Sequence, residues 1–108
     1  MGQKQSEVPP VTVIVQIEHP IRTWDAWKAA FDSDPIRRQE SGVRRYRIVR
    51  PMDDPNYIAV DLEFDDASRA VAFREALENM WRSPQAALVL GEGSPRARVV
   101  EAVESREY

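Results

Sequence analysis

Two runs in the middle of the chain, VRRYRIVR from Val43 and YIAVDLEF from Tyr57, fit together as an antiparallel hairpin in a register that suits both of its faces. In that register Arg45 lies opposite Glu63, Arg47 opposite Asp61 and Val49 opposite Ala59, so opposite charges meet on one side. The other side gathers Tyr46, Ile48, Val60, Leu62 and Phe64. Side chains alternate along a strand, so a slip of one residue would carry a whole apolar set onto the charged face. The linking PMDDPN consists of turn formers, which predicts a hairpin with a connection of about five or six residues. A sheet with one apolar face needs other elements to cover it.

The flanking segments supply that cover. VTVIVQIEH alternates, with Val11, Val13, Val15 and Ile17 on one side and Thr12, Gln16 and Glu18 on the other, as a half-buried strand does. Pro20 ends it, and Thr23 is placed to cap a helix in which Trp24, Trp27 and Phe31 form one stripe. That helix stops by SDP, because the residue before Pro35 is pushed out of the helical region. DASRAVAFREALENMW is a second helix: Ala70, Phe73, Leu77 and Met80 share a face, an aspartate pair stands at its start, and Glu78 lies four residues before Arg82. SPQAALVLGEGSP reads as a short helical turn and a glycine–proline loop before a last strand, RARVVEAVE. The order is βαββαβ. It predicts an α+β, ferredoxin-like domain: a four-stranded antiparallel sheet with two helices on one face.

A chain of 108 residues with 43% hydrophobic residues builds one core. The domain is expected over residues 11–104, and the polar MGQKQSEVPP, residues 1–10, as a disordered tail. The 15 basic and 18 acidic residues leave a net charge of −3, so no positive field gathers phosphates, and neither nucleic acid nor anionic membrane is an expected partner. An RNA-binding sheet would also display stacking aromatics, for which Tyr57 is the one candidate. Gly2 and Ser6 fit a short myristoylation pattern, but no polybasic patch supplies a second anchor. The absence of cysteine removes disulfides, thiolate nucleophiles and cysteine-held metals, and no apolar signal or membrane-length run is present; a cytoplasmic protein is expected. The face turned away from the helices would carry Ile14, Gln16 and Glu18 beside the hairpin's charge pairs. It suits either water or the same face of a second subunit.

Several phrases have a familiar arrangement: W..W..AFDSDP.RR...GV.RYR from Trp24 to Arg47, then DDPNYIAVDLEFDD, then A.AF...L...W. With the element order, they resemble the dimeric α/β-barrel superfamily, in particular its single-domain bacterial members of the cyclase-like or antibiotic-biosynthesis-monooxygenase-like kind. The resemblance covers roughly residues 11–103 and implies a homodimer whose sheets face each other as a dimeric α/β barrel. It also implies a cleft in each subunit between helices and sheet. Activities in the superfamily include cofactor-independent oxygenation, haem degradation, lactone isomerisation and polyketide cyclisation. Haem-degrading members carry an asparagine on the first strand and a histidine on the second helix; this sequence has neither, so no cofactor is expected.

EHPIRTWDAW, residues 18–27, packs the chain's one histidine and two of its three tryptophans into ten positions. Most of that density belongs to a strand-to-helix junction. His19 is the exception: it continues the apolar phase of the first strand, leans toward the helices, and is the candidate catalytic base or hydrogen-bond donor. Its plainer role is to close the strand by bonding a backbone carbonyl. Trp27, Tyr46, Phe64, Phe73 and Trp81 are the candidate lining of an apolar cleft, although the stripe that Trp24 and Trp27 share with Phe31 has the pattern of ordinary core packing first. Arg38, with Arg37 and Arg22, is a candidate to hold an acidic group at the cleft mouth, its plainer role being a solvated loop or pairing with carboxylates. A lone histidine without spaced carboxylates or cysteines gives no metal site, DDPN has the composition of a tight turn, and no serine reads as a nucleophile. Two functions fit: a homodimeric enzyme or binding protein for a small aromatic or polyketide-like molecule, or a non-catalytic dimerisation module without a ligand. A cavity that reaches His19 separates them.

Overall fold

The computed structural model describes residues 12–108. The predicted tail, residues 1–10, lies outside the described residues. The elements run β1 (Val13–Pro20), α1 (Trp24–Asp32), β2 (Arg45–Val49), β3 (Tyr57–Phe64), α2 (Ala67–Trp81), a 3-10 helix (Pro84–Leu88) and β4 (Arg96–Glu101). The four strands form one antiparallel sheet in the order β2-β3-β1-β4. This is the ferredoxin-like arrangement expected from the element order.

The hairpin pairs as the charges require: Arg45 faces Glu63, Tyr46 faces Leu62, Arg47 faces Asp61 and Val49 faces Ala59. Two of those pairs close as ion pairs, Arg45–Glu63 at 3.2 Å and Arg47–Asp61 at 3.8 Å. Arg50 leaves the ladder, so the connection spans residues 50–56 and is slightly longer than predicted. β1 occupies a central position between β3 and β4, with Val13, Val15, Ile17 and His19 buried in strict alternation. Ile58, Val60, Leu62 and Phe64 of β3 do the same beside them. Burying such side chains stabilises the fold by about 1.5–3 kcal/mol each.

The two helices meet this floor differently. α2 lies close, with Ala70, Phe73 and Leu77 buried, and the Phe73 ring 5.5 Å from that of Phe64. α1 stands off: none of its Cα atoms comes within 8 Å of one in a strand or in α2. Large side chains bridge the gap, Trp27 fully and Trp24 and Phe31 in part, so the separation is set by the size of indole and phenyl rings. Thr23 caps α1 by accepting the Ala26 N–H at 3.1 Å, and Lys28 pairs with Asp32 at 2.7 Å across one turn.

Three expectations are corrected. Asp66 alone caps α2, through Ser68 and Arg69, while Asp65 turns away to Arg44 at 2.7 Å. Arg82 falls just past the helix and donates to Asn79 Oδ1 at 2.6 Å instead of pairing with Glu78. β4 ends at Glu101, opposite Val13, with one further backbone bond from the Ala102 N–H to the Thr12 carbonyl at 2.9 Å, so the last strand is shorter than RARVVEAVE.

Candidate functional site

The stand-off of α1 leaves a cavity of about 320 Å³ enclosed by the sheet, both helices and the 3-10 segment. Its wall is mostly apolar, with Ile17 and Leu62 as floor, Phe73, Leu77 and Trp81 from α2, and Trp27 from α1. The volume lies at the small end of the range for ligand pockets. His19 is part of this wall and is 2% exposed, a polar group where the alternation of β1 calls for an apolar one.

The surroundings of His19 fix its chemistry. Nδ1 lies 2.8 Å from the carbonyl oxygen of Pro20. A carbonyl only accepts, so Nδ1 carries the proton in the neutral ring and Nε2 is left with its lone pair. Trp27 and Trp81 stand edge-to-face against the imidazole, with centroids 6.2 and 5.8 Å away. Burial in this apolar setting lowers the His19 pKa below its ordinary value, and the Pro20 carbonyl only partly opposes that shift. At neutral pH the group is an uncharged base.

That shift has a sign that can be checked. His19 is the one histidine in the chain, and no other side chain ordinarily titrates between pH 5 and 8. A folded-state pKa below the unfolded value near 6.5 means that the unfolded chain binds the proton first. Stability is therefore full above pH 6.5 and is lost as the pH falls from there toward the folded value. Urea titrations between pH 7.5 and 5.5 are expected to show a loss of up to about 1.4 kcal/mol per pH unit below 6.5. His19→Gln should abolish it; an unchanged slope in that variant would contradict the assignment.

At the far side of the cavity Arg38 and Asp34 belong both to its wall and to an open polar trough outside it. The Arg38 guanidinium lies 3.9 Å over the Phe31 ring and donates to the Phe31 carbonyl at 2.8 Å, with Asp34 at 3.5 Å. Both Asp34 and Arg37 hold left-handed backbone, φ 55° and 54°, in the tight turn that places Arg38 there.

Of the candidate residues, the fold brings His19, Trp27, Phe73, Trp81 and Arg38 to one cavity. Phe64 does not reach it: the ring is wholly buried between the sheet and Phe73. Tyr46 is 43% exposed because it lies on the edge strand β2, where its aromatic cover is the Phe31 ring of α1, and it lines the outer trough. Arg37 pairs with Glu40, and Arg22 donates to the Ala87 carbonyl at 2.8 Å, so neither enters the site. Trp24 lies under Arg50, outside the cavity. The turn role of DDPN is visible in Asp54 Oδ1, which accepts the Asn56 N–H at 3.1 Å.

Sequence reasoning missed the cover supplied by residues 83–90. Leu90 bridges to Ile21, the Arg22 N–H donates to the Val89 carbonyl at 3.0 Å, and Ala86, Val89 and Leu90 thereby close the cavity beside His19. The apolar run AALVL was the available signal. Among the described residues no group of three or more histidines, cysteines or carboxylates could hold a metal ion, and no helix is long and apolar enough to cross a membrane.

Comparison with known proteins places this geometry by fold. No family model matches the sequence, and no curated protein is significantly similar to it. Solved structures do match. A protein of unknown function from Nitrosomonas europaea has a TM-score of 0.66 at 18% identity, over 92% of this chain and 96% of that one. A provisionally assigned antibiotic biosynthesis monooxygenase from the same organism has a TM-score of 0.58 at 16% identity, over 90% and 95%. A dimeric ferredoxin-like protein from an uncultured marine organism has 0.61 at 9% identity, over 96% and 98%. At these identities the likeness is one of fold alone: the chain shares with these structures the ferredoxin-like arrangement of a four-stranded antiparallel sheet and two helices.

Proposed function

We propose that the protein is a homodimer in which each subunit binds a small, flat, mainly apolar molecule, aromatic or polyketide-like, and that His19 takes a proton from it during a reaction of the cofactor-independent monooxygenase or cyclase type. The observation that carries this reading is a 320 Å³ cavity that reaches a buried, neutral imidazole. A buried polar group in a core strand costs stability unless it is bonded, and only one of the two ring nitrogens has a partner among the described residues. Trp27 and Trp81 offer aromatic walls for a flat ring system, and Arg38 offers guanidinium donors where the cavity meets the trough.

The dimer reading rests on the sheet's other face and on the described association of the marine neighbour. That face holds Ile14, Ala59 and Val100 among Glu18–Arg96, Arg47–Asp61 and Arg45–Glu63 pairs, with Arg98 donating to Gln16, so most of its charge is met within the sheet and an identical face can oppose it. Light scattering at micromolar concentration is expected to give twice the 12.4 kDa of one chain; a monomer would refute the facing-sheet arrangement.

Ligand binding has a built-in reporter, because Trp27 and Trp81 line the cavity. A panel of hydroxylated naphthalenes and anthracenes should quench tryptophan emission saturably, and the productive members should be consumed in air without added cofactor. Failure of every compound to bind would favour the non-catalytic module.

A further inference from the structure

The carbonyl of Pro20 accepts two hydrogen bonds. One comes from Nδ1 of His19 at 2.8 Å, the other from the backbone N–H of Gly91 at 3.1 Å. Gly91 arrives there because the Ile21–Leu90 bridge and the Arg22-to-Val89 bond draw the segment after the 3-10 helix against the end of β1. The approach leaves no room for a side chain: a Cβ on Gly91 would sit 2.9 Å from Cβ of Pro20 and 3.2 Å from the backbone nitrogen and oxygen of Ile21. Gly91 does not hold a left-handed backbone, so closeness and not conformation is what calls for glycine here. Gly91 is not in the cavity wall.

We propose that Gly91 is a positioning residue for His19: it seats the Pro20 carbonyl against Nδ1, keeps Nε2 as the bare nitrogen, and so makes the cavity select ligands that donate a proton, such as phenols and enols, over ethers and ketones of the same shape. The physical basis is the asymmetry of buried hydrogen bonding. A phenol pairs with the Nε2 lone pair, whereas its methyl ether leaves that lone pair buried and unmatched, a difference of about ten- to hundredfold in affinity. Were Nδ1 released and the proton moved to Nε2, the same cavity would favour carbonyl and ether oxygens instead. The selectivity rests on the reading of this cavity as a ligand site; the tautomer does not.

The test is nitrogen-15 NMR of histidine-labelled protein, in which one imidazole gives one pair of signals. The wild type should show a protonated, pyrrole-like Nδ1 and a pyridine-like Nε2 at neutral pH. 2-Naphthol should bind at least tenfold more tightly than 2-methoxynaphthalene. In Gly91→Ala the two nitrogen signals should move toward each other as the tautomers mix, and the naphthol preference should fall to about threefold or less. Gly42→Ala is the control: Gly42 has φ +107° and a Cβ there would lie 2.9 Å from Arg69 Cδ, so the variant strains the backbone at a place outside the cavity wall. It should leave both the tautomer and the preference unchanged. Gly91→Ala with wild-type signals, or an equal effect from Gly42→Ala, would overturn the proposal. If Gly91→Ala does not fold, the wild type still decides: the scalar coupling across the Gly91 N–H to Pro20 carbonyl bond must be present, and its absence refutes the arrangement. Equal binding of naphthol and its ether by the wild type refutes the selectivity alone. No binding by either refutes the ligand reading, while the nitrogen signals still judge Gly91.

Discussion

Trp27→Ala is expected to cost about 3–5 kcal/mol of folding stability, near the upper end for a core truncation. Trp27 is 5% exposed and is the one buried side chain of α1, a helix whose Cα atoms all stay more than 8 Å from those of the strands and of α2. In a helix packed directly on its neighbours, the loss of one indole is shared among many remaining contacts. Here the remaining bridge is two partly buried rings, Trp24 and Phe31, so the helix loses its main support along with the transfer energy of the indole. The cavity should change with it, because Trp27 is both wall and spacer. Urea unfolding measures the first effect and loss of ligand-induced tryptophan quenching the second. A loss below about 1 kcal/mol would mean that α1 is held by something other than this side chain.

His19→Gln should lower turnover of a productive panel compound by about 10²–10⁴-fold, the usual contribution of a positioned general base, while binding weakens far less. Glutamine can still offer an oxygen to a ligand hydroxyl, but it has no basic nitrogen to keep the proton. The split between kcat and KM is the discriminating readout: a purely structural histidine would move stability and leave kcat nearly alone. Full turnover in His19→Gln would remove His19 from the reaction. The acid-dependent loss of stability provides a separate check, since it reports the burial of the imidazole whether or not any ligand is found.

The parts of the fold that were legible in the sequence are those governed by alternation and charge. The hairpin register could be read because two arginines had carboxylates to meet and the intervening residues were apolar. The direction of His19 followed from the same period of two, since its phase was that of Val13, Val15 and Ile17. The misplaced residues were those whose environment depends on what lies above the sheet. Phe64 and Tyr46 share a side of the sheet with the cavity's floor, yet α2 seals the first away, and the second, on an edge strand, meets the Phe31 ring of α1 and stays partly open to solvent. The cavity itself was not legible, because its volume is the difference between the reach of three aromatic side chains and the space the other walls fill. Periodicity locates a face but not a distance. Residues 83–90 were obscure for another reason: a short 3-10 helix has no periodic signature, and its path is fixed by backbone bonds to Pro20 and Arg22 whose one mark in the sequence is Gly91.

The sheet's two edges also decide what kind of self-association is open to the chain. β2 is short, ends in a proline-containing turn and displays Arg45 and Arg47; β4 begins after Pro95 and displays Arg96 and Arg98. Adding a strand from another molecule to either edge would bring like-charged guanidinium groups together along an interrupted ladder, which disfavours runaway growth of the sheet into fibres. Contact through the broad face uses itself up once two copies have met, so the same molecule can be sociable in one direction and inert in the other two.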